Sequence, residues 1–471
     1  TGNHMVDKQF RIEKDSLGEV KVSKKVLWGA QTQRAVNNFP VSGISMNFPF
    51  TDAFISSLGV IKDAAAKANK NLGLLEAKKQ RAISKAAKEV WQNKHGAQFP
   101  IDVFQTGSGT STNMNANEVI ANLATKYAGE KIDPNDHVNM SQSSNDVIPT
   151  AINISCHMDM TKKLMPALTK LIDIIDAKAL SVKGTVKTGR THLMDAMPID
   201  LAQELSAWSS QLSTSQATLN DCIEKLLYMP QGGTAIGTGI NAHPRFAKEF
   251  CKEVSKLNSD CKVKPSDNFF NSLSAQDTSV QLSGELKNLA VILMKVSNDL
   301  RWMNSGPLAG LGEIELQALQ PGSSIMPGKV NPVIPEAVAM VCADVIGNDV
   351  SVTVGAQSGN FQLNVMLPVI AYNVLKSVNL LAGAMNILGP KAIKTFKVNH
   401  DNIERSLERN PILVTALNPV IGYAKAAEIA KKAYKENRPV IDVAIEETDL
   451  SKAQLKKLLD PKKLTSGGIK K

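Results

Sequence analysis

At 471 residues, with 43% hydrophobic, 21% charged and only 5% aromatic side chains, the chain is too long for one ordinary core and has a globular, helix-favouring make-up. Lys and Arg (54) outnumber Asp and Glu (44), but the basic residues are scattered along helix-like segments, thicken only near the end and lack interleaved aromatics, which argues against a nucleic-acid surface. Five cysteines (Cys156, Cys222, Cys251, Cys261, Cys342) with no C-x-x-C pair argue against a disulfide framework or an iron–sulfur cluster and point to reduced thiols in the cytoplasm.

The opening "TGNHM" (1–5) reads as an expression scar, and no charged-then-apolar export segment follows it. Up to residue 142, short helical patterns alternate with Gly- and Asn-rich pieces such as "QTGSGTSTNMNANEV" and "DPNDHVNMSQSSND", which marks a first domain over 1–142. From 143 to 400 the apolar spacing predicts long helices over 164–180, 204–227, 284–302, 333–348 and 364–388. The third of these carries Leu286, Leu289, Leu293, Val296 and Leu300 at 3, 4, 3, 4 spacing. Long helices in succession predict a central bundle, and the fold class is mainly α. The longest uncharged stretch, Val350 to Leu375, is interrupted by Gly, Gln, Asn and Pro and is expected to be buried among helices rather than in a membrane. Short amphipathic patterns over 401–471 predict a small third domain.

"GSSIMPGKVNP" (322–332) gathers Ser323, Ser324, Lys329 and Asn331 among glycines and prolines. It is not a phosphate loop: five residues separate Gly322 from Gly328, and Val330 stands where Ser or Thr would ligate magnesium. "GTGINA" (237–242) lacks the preceding strand of a dinucleotide site. The seven histidines form no HExxH and no ligand-spaced set with cysteine, so no metal is expected. What remains is a family of polar, Gly-flanked segments: "GSGTSTNMN" (107–115), "SQSSND" (141–146), "GRTHLMDA" (189–196) and "GSSIMPGKVNP". Hydroxyls, amides, a lysine and free N–H groups at helix starts suit a small polyanion. Taken singly, each is an ordinary capped helix end; together they point to a site.

These segments resemble the signatures of the fumarase/aspartase superfamily over nearly the whole chain. Within it, "GSGT", "QGGTAIGTGIN", "SGNFQLNV" and "NPILVTALNPVIGYAKAAEIAKKA" resemble the class II fumarate hydratases, whereas aspartases typically carry Ala in place of Ser108, Gly233 and Gly328. The resemblance implies a three-domain, mainly α fold with a long helical bundle, and a homotetramer whose active sites are shared between copies. It implies reversible hydration of fumarate to (S)-malate, a tricarboxylic acid cycle step, without metal or organic cofactor. Among catalytic residues it makes Ser323 the base at C3, pairs His192 with Glu336 for the water proton, and gives Lys329 the developing charge. Ser108, Gly109, Thr110, Ser143, Ser144, Asn145, Thr191, Ser324, Lys329, Val330 and Asn331 are carried over as substrate binders. A secondary anion site is carried over to Asp133, Pro134, Asn135 and Asp136, with Asp133 where the family commonly has histidine; Met194 likewise replaces a usual Gln. Aspartate ammonia-lyase and a catalytically silent structural relative are the competing readings.

Overall fold

The computed structural model describes residues 8–469, and the opening "TGNHM" lies outside them. Each long helix expected from periodicity is present: Met165–Val182, Leu201–Lys225, Asp277–Met303, Val333–Gln357 and Leu367–Leu388. The short ones near the end are there as well, as Tyr423–Glu436 and Lys452–Leu458. Among the described residues every sheet is two-stranded, so the architecture is mainly α, as the sequence predicts. The described residues divide into two compact units: 8–166 with 215–290 and 341–382, and 167–214 with 291–340 and 383–469.

The first unit is organised on the helix Ala53–Asn71, whose Phe54, Ile55, Leu58, Ile61, Ala64, Ala65 and Ala68 are all buried. It packs against the helices Ala77–Trp91, Ser144–Asp159 and Phe246–Leu257. Gly59 makes the first of these contacts close, because a Cβ there would sit 2.6 Å from the Trp91 nitrogen and 2.8 Å from the Ala87 carbonyl. Such a core helix has apolar residues on most of its circumference, so the buried Lys62 within it stands out.

In the second unit an antiparallel hairpin joins Val186–Thr191 to Met194–Asp200. A short ladder pairs Ile314–Glu315 with Lys397–Val398. The helices after residue 400 surround their own apolar cluster, including Leu413, Leu417, Ile429, Val443 and Leu455. The Asn410 side chain ties that cluster to the hairpin by donating to the Ala196 carbonyl at 2.8 Å.

Candidate active site

In the second unit the segment "GRTHLMDA" is a hairpin tip rather than a helix end. Thr191 pairs with Met194, which leaves a two-residue loop in which His192 (φ 56°) and Leu193 (φ 61°) both have left-handed backbone. This is the geometry of a type I′ turn, normally built from Asn-Gly, here carried by two side-chain-bearing residues at a cost in strain. His192 is exposed at the apex, and Thr191 is exposed beside it.

Charged residues grip the hairpin from inside. Lys187, 2% exposed, pairs with Glu204 at 2.8 Å and with Glu313, and Arg190 pairs with the same Glu313. Glu313 is fixed through its own backbone: its N–H donates to the Met303 carbonyl, and its carbonyl accepts from the Asn399 N–H, each at 2.8 Å. Ten residues further on comes Ser323, so one carboxylate ties the His192 hairpin to the strand that leads into the serine loop.

The serine loop closes on itself. A Cβ on Gly322 would lie 1.9 Å from the Lys329 carbonyl oxygen, and the Asn331 side-chain amide donates to the Gly322 carbonyl. Only glycine permits that approach. Inside the closed loop Ser323 Oγ accepts the backbone N–H groups of Ile325 (3.3 Å) and Met326 (3.0 Å). Ser324, Lys329 and Val330 are exposed, and Glu336 is exposed in the first turn of the helix Val333–Gln357. Two concavities flank the loop: one of about 480 Å³ is lined by Ser323, Met326 and Lys329, and another of about 750 Å³ by Arg301, Trp302, Lys329 and Asn331. Among the described residues, no hydrogen bond or ion pair occupies the His192 ring, the Lys329 ammonium or the Glu336 carboxylate.

The first unit gathers the other polar segments. Gly109 (φ 72°) starts the helix Thr110–Ala128, and the hydroxyls of Ser108 and Thr110 lie 2.6 Å apart beside it. Gly107 packs so closely on Val365 that a Cβ would come within 1.8 Å of its carbonyl oxygen, which brings "SGNFQLNV" against "GSGT". Ser143 and Asp146 form a capping box at the start of the helix Ser144–Asp159. Asp146 also accepts from the Gly232 and Thr234 N–H groups at 3.0 and 2.9 Å, and Asn145 donates to the Ala235 carbonyl at 2.7 Å. The segments "SQSSND" and "QGGTA" are thereby held together. Asn113 donates to Ser144 Oγ at 2.9 Å, joining the "GSGT" helix to this set.

At 133–136 the Asp133 carboxylate accepts the N–H groups of Asn135 and Asp136, both at 2.8 Å, so the donors an anion would use already face a carboxylate. Pro134 leads that turn.

Three features escaped the sequence reading: the hairpin tip, the Glu313 clamp, and Lys62. Lys62 is 0% exposed, and burial lowers its pKa to about 7; burial also raises Asp146 to about 6 despite its three N–H partners. A lysine at helical spacing within "FISSLGVIKDAAAKAN" was the available signal. All five cysteines are buried and unbridged, with burial pushing their thiols up. Among the described residues no three His, Cys, Asp or Glu side chains stand together as metal ligands.

A lyase family model matches residues 18–347, and a model of the fumarase C C-terminus matches 413–466. The chain is 58% identical to fumarate hydratase class II 2 of Pseudomonas aeruginosa, over 98% of this chain and 99% of that one. It is 57% identical to fumarate hydratase class II of Xylella fastidiosa, over 98% of this chain and 96% of that one. A class II fumarase structure from Schistosoma mansoni superposes with a TM-score of 0.93 at 36% identity, covering 97% of this chain and 99% of that one. With relatives this similar along nearly its whole length, the chain belongs to the class II fumarate hydratase family of lyases.

Proposed function

We propose that this protein is a fumarate hydratase that interconverts fumarate and (S)-malate. The observation that carries the chemistry is the serine loop, where Ser323 Oγ already receives two backbone N–H groups within a closed loop that also presents Lys329 and Asn331. Serine is a weak base. Its alkoxide becomes accessible only where fixed dipoles and a cation stabilise the oxyanion, and two N–H donors plus a nearby ammonium are such a set.

In the malate-to-fumarate direction Ser323 takes the C3 proton, and the electron pair moves into the adjacent carboxylate as an aci-carboxylate dianion held by Lys329 and Asn331. The electrons then form the double bond as the C2 hydroxyl leaves, protonated from the His192–Glu336 side, as water. Hydration runs these steps in reverse. Ser108, Gly109, Thr110, Ser143, Ser144, Asn145, Thr191, Ser324 and Val330 contribute hydroxyl, amide and backbone groups for the two substrate carboxylates and the water. No step needs a metal or an organic cofactor.

The working form is a homotetramer with each site built from segments of three copies. Support comes from the helix Val333–Gln357, which leaves Met340, Val350 and Val354 at 69%, 59% and 45% exposure, with Ala343 and Gly347 exposed between them. That 3, 4, 3, 4 spacing is a seam for another helix. By length and composition this helix and Leu367–Ile393 could each cross a bilayer, but the first carries Glu336, Asp344 and Asp349, the last paired with Lys287 at 3.2 Å. Charges so placed favour a protein partner over lipid. Three domains divided near 142 and 400 complete the reading, and five unbridged thiols fit a cytoplasmic setting.

The test is loss of fumarate ultraviolet absorbance in ammonia-free buffer containing EDTA, with malate identified as product. Fumarate loss only after ammonium is added would make the protein an aspartate ammonia-lyase instead, and silence in both buffers would leave a structural relative.

A further inference from the structure

Lys62 lies in the core of the first unit with no exposed surface, and its ammonium donates to three amide oxygens: Asn113 Oδ1 at 2.7 Å, Gln142 Oε1 at 2.8 Å and Asn139 Oδ1 at 3.2 Å. An ammonium has three hydrogens and no lone pair, so these contacts use it fully and force three side-chain amides to turn their oxygens inward. Their NH₂ groups must then point away. Asn139 donates to the Gln142 carbonyl, Gln142 donates to the Val138 and Met140 carbonyls, and Asn113 donates to Ser144 Oγ at 2.9 Å.

This last contact bears on chemistry. Ser144 is the first residue of the helix Ser144–Asp159 and is half-buried, so its hydroxyl sits where the helix start favours negative charge. With its oxygen already accepting from Asn113, the hydroxyl hydrogen is left to donate elsewhere. Were the Asn113 amide reversed, its oxygen would take that hydrogen and Ser144 would present lone pairs, which repel a carboxylate.

We propose that Lys62 is a positioning residue: acting through Asn113, it sets the Ser144 hydroxyl as a hydrogen-bond donor toward a substrate carboxylate. The inference rests on the fumarate hydratase reading and on Ser144 as a carboxylate binder. Lys62 touches no substrate. Asp146 is the carboxylate acting on it, and that carboxylate is held by three backbone N–H groups of its own.

Two variants test it. Lys62→Met keeps the apolar stem and removes the ammonium. Asn113→Asp keeps size and the contact to Lys62 but offers Ser144 an acceptor in place of a donor. For each, kcat and KM for fumarate are measured with the Ki of succinate, alone and combined with Ser144→Ala. The expected result for both variants is a rise of about tenfold or more in KM and in the succinate Ki, with a smaller fall in kcat. Adding Ser144→Ala should then have little further effect on KM, because the hydroxyl has already lost its direction. Wild-type KM and Ki in Asn113→Asp, or full additivity with Ser144→Ala, would overturn the inference while the hydratase reading stands. Absence of fumarate turnover in the wild-type chain would overturn both. Should Lys62→Met fail to fold, Asn113→Asp decides alone, since its ion pair with Lys62 retains the core.

Discussion

Glu313 grips Lys187 and Arg190 at once, and both cations lie on the strand that leads into the His192 turn. The carboxylate is 6% exposed, so its partners cannot exchange it for water. Replacing it by a neutral amide leaves a buried ammonium with only the Glu204 carboxylate. Glu313→Gln is therefore expected to lose about 3–5 kcal/mol of stability, as for a buried pair stripped of one partner, and to lower kcat more than it raises KM. Urea unfolding together with steady-state kinetics checks both. A variant as stable as wild type would show that the clamp is not needed.

Ser323→Ala removes the oxygen that gathers the Ile325 and Met326 N–H groups but leaves the Gly322 closure intact. Turnover should fall by roughly 10²–10⁴, the range for loss of a positioned base, while succinate still binds. Wild-type turnover in this variant would remove Ser323 from the chemistry.

A single methyl at Gly322 is a different lesion. The new Cβ would meet the Lys329 carbonyl at 1.9 Å, so the loop must open and carry Ser323 and Lys329 apart. Because the loop is largely exposed, Gly322→Ala should leave the thermal midpoint within a few degrees of wild type while kcat/KM collapses. Full activity would mean that the closed loop is not the working conformation.

The buried Lys62 predicts how stability varies with pH. Its folded pKa, about 7, lies below the ordinary 10.5, so between those values the unfolded chain holds a proton that the folded chain has released. Stability contributed by this group therefore rises as pH climbs from about 7 toward 10.5, by an amount on the order of a few kcal/mol. Asp146 acts in the opposite sense in a lower window. Raised from 3.8 to about 6, it contributes stability that is fully present below 3.8 and lost as pH rises through 6. Denaturant midpoints of wild type and Lys62→Met at about pH 7 and about pH 9, both inside the lysine window, check the first part: wild type should gain on the variant with rising pH. Parallel curves would exclude the linkage.

The long helices were legible because a buried helix repeats its apolar residues every three or four positions whatever surrounds it; Leu286 to Leu300 needed no tertiary information. The polar segments were legible as chemistry but not as geometry. His192 and Leu193 carry none of the usual signals of a type I′ turn, so the strain that places the imidazole at a hairpin tip is invisible in the letters "THLM". Glu313 looked like one charge in an unremarkable loop, since its meaning comes from Lys187 and Arg190, which lie far earlier in the chain. Lys62 could have been noticed, but its partners Asn113, Asn139 and Gln142 are brought to it by the fold alone.

The two-residue tip between Thr191 and Met194 also fixes what lengths of chain are tolerable there. Side chains alternate between the faces of a strand, so one inserted residue would re-pair the hairpin and turn the flanking side chains to the opposite face. The imidazole is aimed by counting residues rather than by any contact it makes. Substitutions of Leu193 that keep the left-handed backbone should be absorbed, whereas a single insertion or deletion at the tip would misdirect His192 even in a protein folded everywhere else.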